Sequence, residues 1–189
     1  MTRWVALYAR SRGVPVSAAV VAVGVAALAA LAETDGSPRL AAFGAALGVA
    51  AVSTGLDGHD RALDRTAAFG WPPRRAAHLL LGGAFVAALL LAAGRVTAPI
   101  APDALVIRDV AGLGGSAALG ALLLGARAAW ALPIGWTGVT LVVPSFDDHW
   151  LSRLLTWPVQ PAGTTSATVT AVVLGCTGLL AYSWFGCRR

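Results

Sequence analysis

Three carboxylates, Asp57, Asp60 and Asp64, fall within eight residues between two apolar stretches. At spacing i, i+3 and i+7 they share one face of a helix. Gathered carboxylate oxygens are hard ligands of the kind Mg²⁺ takes when it is held against a phosphate. The same stretch supplies counter-charges, because Arg61 lies four residues after Asp57 and Arg65 follows Asp64. Asp57–Arg61 and Arg61–Asp64 are favourable helical neighbours, whereas Asp60–Asp64 is a like-charge pair. The residues therefore admit three uses: a metal–phosphate site, a salt-bridged helix gripped by another protein, or a solvated loop. The helix is expected to end at Trp71-Pro72-Pro73, since proline cannot extend it.

Two further segments carry polar chemistry. Between Pro144 and Pro161, the residues Phe146, Trp150, Leu154 and Trp157 trace one helical face, with Asp147, Asp148, His149 and Arg153 among them. This run is too short to cross a bilayer and ends at Pro158, so it is expected to lie in the interface or dip partly in. His149 sits beside two aspartates, but His59 and His78 fall on the other side of the membrane in the topology below, and no metal site is assigned. Arg108-Asp109 is expected near the outer end of a span, where arginine snorkels and the aspartate partly neutralises it; a place on a substrate path is the other reading of such a charge. No Ser–His–Asp set, phosphate-binding glycine loop or cysteine–histidine pair is present, and Cys176 and Cys187 have neither metal-type nor disulfide-framework spacing.

The elements that must position these residues are membrane spans. The 189 residues are 57% hydrophobic and 12% charged, with a mean hydropathy of +0.73. A soluble domain carries about 25% charged residues. Six spans are expected, at Val14–Leu31, Arg39–Thr54, Ala77–Ala93, Val110–Ala126, Ala128–Val143 and Ala167–Phe185, several of them approaching the ~20 residues that a crossing helix needs. The first is read as a retained helix and not as a signal peptide. With both termini in the cytoplasm, ten of the 14 basic residues lie inside, as the positive-inside rule requires. Trp4, Trp71, Trp130 and Trp184 then fall near the inner boundary and Trp150 and Trp157 near the outer one. The fold class is all-α: one polytopic transmembrane domain over 1–189, with an inner loop at 55–76 and an outer interfacial or re-entrant segment at 144–163. The net charge of +5 does not imply a nucleic-acid partner, because the arginines fall at the ends of apolar segments and not on one soluble face. Gly44 and Gly48, and Gly112, Ser116 and Gly120, stand at four-residue spacing; such small residues let helices approach within the chain or between subunits.

Asp60-Arg61-Ala62-Leu63-Asp64-Arg65-Thr66-Ala67-Ala68, followed by Pro72-Pro73-Arg74-Arg75-Ala76-Ala77-His78-Leu79-Leu80, resembles the inner loop of small membrane subunits of bacterial ABC-2-type (ATP-binding-cassette) transporters. The tail Trp157-Pro158-Val159-Gln160-Pro161-Ala162 and the last span ending Gly186-Cys187-Arg188-Arg189 resemble them too. The all-arginine, alanine-rich composition fits a GC-rich bacterial genome. The resemblance implies a six-span permease subunit of an exporter in the bacterial cell membrane, paired with a second membrane subunit as a homo- or heterodimer. It implies no enzyme activity and no cofactor on this chain, since ATP and Mg²⁺ would be bound by a cytoplasmic ABC ATPase. By the same resemblance, Asp60, Leu63, Asp64, Arg65 and Phe69 would dock on that ATPase, and the stretch before the last span would form outer re-entrant helices. A different resemblance, of Asp57, Asp60 and Asp64 to the first aspartate motif of intramembrane prenyltransferases, implies an Mg²⁺-dependent enzyme as the alternative. That family needs a second aspartate-rich loop on the same side, whereas Asp147-Asp148 maps opposite. A non-transporting immunity or scaffold protein is the third option.

Overall fold

The computed structural model describes residues 10, 13–31, 36–56, 71–142 and 150–187, and among them every regular element is helical. We number the helices α1 (Val14–Ala30), α2 (Pro38–Ser53), α3 (Trp71–Val96), α4 (Asp103–Leu123), α5 (Ala131–Val142), α6 (Trp150–Leu155) and α7 (Thr165–Phe185), with 3-10 turns at Thr54–Leu56, Ala126–Ala128 and Trp157–Val159. Prolines mark several starts. Ser37 caps α2, its hydroxyl accepting from the Leu40 N–H at 3.3 Å, with Pro38 next. Pro72 and Pro73 lie in the first turn of α3, where a missing N–H costs nothing. The two prolines that were expected to end a preceding helix thus begin the next one.

The helices differ in length from the expected spans in an instructive way. α3 runs to 26 residues, a turn or so beyond Ala77–Ala93 at its start. α4 begins at Asp103, well before Val110, because it carries Arg108 and Asp109 as an internal pair. It stops at Leu123, just ahead of Gly125 at φ +90°. Among the described residues, four segments, Pro38–Leu56, Pro72–Val96, Asp103–Leu123 and Thr165–Phe185, are long and apolar enough to cross a membrane. α1 (17 residues) and α5 (12 residues) are shorter. At ~1.5 Å per residue α5 spans about 18 Å, short of a ~30 Å hydrocarbon core.

α4 is the buried axis, and its Leu105, Val106, Leu113 and Ala117 lie in the main apolar core with Val49, Val86, Leu90 and Ala171. Most of α3 and α7 remains exposed on the outside of the bundle. Since helices in lipid gain little from hydrophobic burial against each other, close approach must supply the attraction, and glycines provide it. Gly44 faces Leu28 and Leu90, Gly48 faces Val86, and Gly82 faces Val52, so α2 and α3 run antiparallel in a four-residue register. Gly112 faces Ala171 and Trp157, while Gly115 meets the backbone of Leu174 and Gly175, so α4 and α7 run parallel. The small-residue steps at 44/48 and 112/116/120 are accordingly used for packing within the chain at every glycine.

The bundle has two distinguishable ends. At one, the Ser37 N–H donates to the Ile100 carbonyl at 2.7 Å and Arg95 pairs with Asp103, bringing the α1–α2 and α3–α4 connections together. At the other, the last turn of α2, the start of α3 and the end of α7 converge.

Candidate functional site

The loop singled out by its charge, residues 57–70, lies outside the described residues, and with it Asp57, Asp60, Leu63, Asp64, Arg65 and Phe69. Its two flanks are described, and both are fastened to α7. The Leu56 carbonyl accepts a buried hydrogen bond of 2.7 Å from the Tyr182 hydroxyl. The Arg75 guanidinium donates to the Ser183 carbonyl at 3.5 Å and packs on Gly186. Gly186 closes α7 at φ +72°, in the left-handed region that favours glycine. Arginine at a helix C-terminus also offsets the partial negative charge of the last carbonyls. Replacing Tyr182 with phenylalanine should therefore cost about 1 kcal/mol, the net worth of one buried hydrogen bond. Equilibrium unfolding in mixed micelles would register the loss, and an unchanged midpoint would mean that the Leu56 tie carries no load.

From α7 the contact continues into α4 without intervening side chains. Gly178 lies against the Gly115 carbonyl and Gly115 against the Leu174 carbonyl, so the two backbones touch over more than one turn.

Further along α4 sits a buried ion pair. Arg108 and Asp109 are 8% and 0% exposed. Arg108 Nε donates to Asp109 Oδ1 at 3.1 Å, and Nη2 approaches the same oxygen at 3.0 Å. The outer face of the guanidinium is wrapped by main-chain carbonyls: Nη2 lies 3.0 Å from each of the Trp157, Pro158 and Gln160 oxygens, and Nη1 lies 3.2 Å from that of Pro161. These belong to a 3-10 turn and the bend after it, where the Trp157 and Pro161 oxygens also accept from the Gln160 and Thr164 N–H groups, at 3.3 and 3.0 Å. The guanidinium also stands over the Trp157 ring, 5.9 Å from its centroid. The pair was expected to snorkel to a boundary; instead it is enclosed, and the chain folds back to supply its hydrogen bonds.

The expected interfacial face between the last two spans divides accordingly. Trp150 and Leu154 are exposed on α6, as expected of that face. Trp157 is 0% exposed and packs over Gly112, so it does not continue that face. The cause is the change from α6 to the 3-10 turn at Trp157–Val159, which rotates Trp157 inward. Phe146 lies outside the described residues. A second tie secures the segment, because Trp136 Nε1 and Thr140 Oγ1 of α5 both donate to the Leu155 carbonyl, at 3.1 and 2.8 Å. This also accounts for Trp136, which no boundary claims.

Among the described residues no group of three or more His, Cys, Asp or Glu side chains is placed to hold a metal ion. Cys176 and Cys187 form no disulfide among the described residues. The architecture is that of an all-helical, membrane-embedded protein. Set against family models, curated proteins and solved structures, the chain matches none of them.

Proposed function

We propose that the chain is the transmembrane subunit of an ATP-driven, ABC-type exporter in the bacterial cell membrane. In this reading it has six spans and cytoplasmic termini, and it works with a second membrane subunit and a separate cytoplasmic ATPase. The observation that carries the reading is the fastening of both flanks of the 57–70 loop to the final turns of α7. A partner that pushes on such a loop moves α2, α3 and α7 together. The backbone contact at Gly115 and Gly178 passes that displacement to α4. At the far end Arg108 joins α4 to the folded-back turn at 157–161. A run of side-chain ties and one backbone contact thus links the flanks of the charged loop at one end to a closed turn at the other. Alternating access needs such a connection, because rigid helices transmit motion only where their packing is tight. The folding back of the chain at 157–161 supports the re-entrant element that the resemblance implies.

The test is co-purification. A tagged chain drawn gently from the membrane should bring with it a protein with the sequence motifs and ATP-hydrolysing activity of an ABC ATPase. Exchanging the loop charges, Asp64→Arg together with Arg65→Asp, should abolish that association while leaving membrane insertion intact. Recovery of the chain alone under conditions that preserve membrane complexes would overturn the proposal. So would Mg²⁺-dependent turnover of an isoprenyl diphosphate by the purified chain, which is the outcome expected if Asp57, Asp60 and Asp64 hold a metal.

A further inference from the structure

A groove of about 690 Å³ runs along the outside of the bundle, floored by α4 and walled by α3 and α7. Its floor includes Ile107, Val110, Ala111, Gly114 and Gly115, and its walls include Ala84 and Leu80 on one side and Val172 and Cys176 on the other. The space over Gly114 is open, since a Cβ built there meets nothing within 4 Å. Two polar side chains, Arg108 and Thr168, reach the lining. Both are already engaged within the chain, Arg108 by the carbonyls described above and Thr168 Oγ1 by the Thr164 carbonyl at 3.1 Å. Apart from the weakly polar Cys176 thiol, an occupant is therefore offered hydrocarbon contact along its whole length.

We propose that this groove is a binding site for one acyl chain of a bilayer phospholipid. The inference goes beyond the exporter reading and does not depend on it. Length supports it. The lining extends from Ala104 to Gly115 on α4 and from Thr168 to Leu179 on α7, about 16 Å on each helix at ~1.5 Å per residue. One leaflet of a ~30 Å hydrocarbon core is about 15 Å deep, so the groove is as long as the chain it would hold. Shape supports it as well. The walls carry bulky, exposed side chains such as Leu80 and Val172, while the floor past Val110 is Ala111, Gly114 and Gly115. Across a two-fold axis that runs along the groove, a second copy would present an identical groove, leaving the floor unfilled, whereas a chain one carbon wide reaches it. Because lipid tails are as apolar as the groove, selectivity must come from dispersion contacts with its walls and floor.

The experiment uses the whole chain in lipid nanodiscs doped with a phosphatidylcholine probe that carries a diazirine midway along one acyl chain. After photolysis, labelled residues are mapped by mass spectrometry. Label at the groove (Leu80, Ala84, Ile107, Val172) should saturate at a probe fraction about tenfold lower than label at the exposed α1 residues Val20 and Val23, a ratio that ten or so extra close carbon contacts supply. Gly114→Leu, which fills the floor, should bring the groove back to the α1 behaviour. Gly24→Leu, at another open glycine, should change neither. Ala84→Leu narrows the mouth from an exposed position and serves if Gly114→Leu does not fold. Groove labelling that rises in parallel with α1 labelling, or that Gly114→Leu and Ala84→Leu leave untouched, would overturn the proposal. Efficient Cys176–Cys176 disulfide formation between copies, with no groove labelling, would assign the groove to a second copy of the chain.

Discussion

Replacing Arg108 with methionine is expected to destabilise the protein by about 3–5 kcal/mol, the cost of removing one partner from a buried charge pair. The substitution keeps a long apolar stem and removes the guanidinium. Asp109 is then left fully buried with Oδ1 stripped of its partner, and among the described residues Oδ2 has no hydrogen bond to begin with. The Pro158 and Gln160 carbonyls lose the Arg108 donor in the same step, while those of Trp157 and Pro161 lose one of two donors and keep the Gln160 and Thr164 N–H groups. These losses do not add, because the turn at 157–161 can open and admit solvent to several of them at once. Arg108→Lys should fall between the two. It keeps the charge, but one compact ammonium cannot serve a carboxylate and a ring of carbonyls that a planar guanidinium meets with several separate N–H groups. Adding Asp109→Asn to Arg108→Met should recover part of the loss, since no unpaired charge then remains buried. Unfolding in mixed micelles supplies the free energies, and limited proteolysis near Arg153 reports whether the turn has opened. Stability of the methionine variant within about 0.5 kcal/mol of the parent would mean that the pair is solvated and that the enclosure has no energetic weight.

The helical, membrane-embedded character and four of the long helices were legible because hydropathy over a ~20-residue window is a one-dimensional property. The glycine steps at 44/48 and 112/116/120 were legible as contact points for the same reason: spacing along one helix decides which face is small. Their partners were not legible. Nothing local to Gly115 indicates that it meets Leu174, because that depends on how α4 and α7 cross. Arg108 shows the limit most clearly. Its position along the chain suggests a boundary residue free to reach water. The carbonyls that enclose it come from residues about fifty positions later, and only a broken helix, α6 passing into a 3-10 turn, brings them back. Pro158 and Pro161 were the available signal. They rule out a continuous helix there, and a span interrupted by irregular backbone must find a buried donor for its carbonyls. Read together with the one arginine in the facing apolar run, they would have pointed to Arg108.

Gly115→Ala and Gly178→Ala should each destabilise the bundle by about 1–3 kcal/mol or somewhat more, the range for overpacking a tight contact, although alanine is the better helix former by nearly 1 kcal/mol. In both cases the new methyl falls well inside contact distance of backbone, the Leu174 carbonyl for Gly115 and the Gly115 carbonyl for Gly178. Backbone cannot rotate aside as a side chain can, so α4 and α7 must separate, and every dispersion contact along the shared face weakens with them. Neighbouring glycines grade the effect. At Gly175 the methyl would come 3.3 Å from the Ala111 carbonyl, a shift of a few tenths of an ångström, and at Gly114 it meets nothing. Unfolding free energies should therefore fall for 115 and 178, change little for 175 and hold or rise for 114. The double variant at 115 and 178 should cost less than the sum of the singles, because one separation of the helices relieves both clashes. Stabilisation at all four positions would instead mean that helix propensity governs and that α4 and α7 stand farther apart than their glycines allow. A graded loss ties stability to the α4–α7 crossing distance itself.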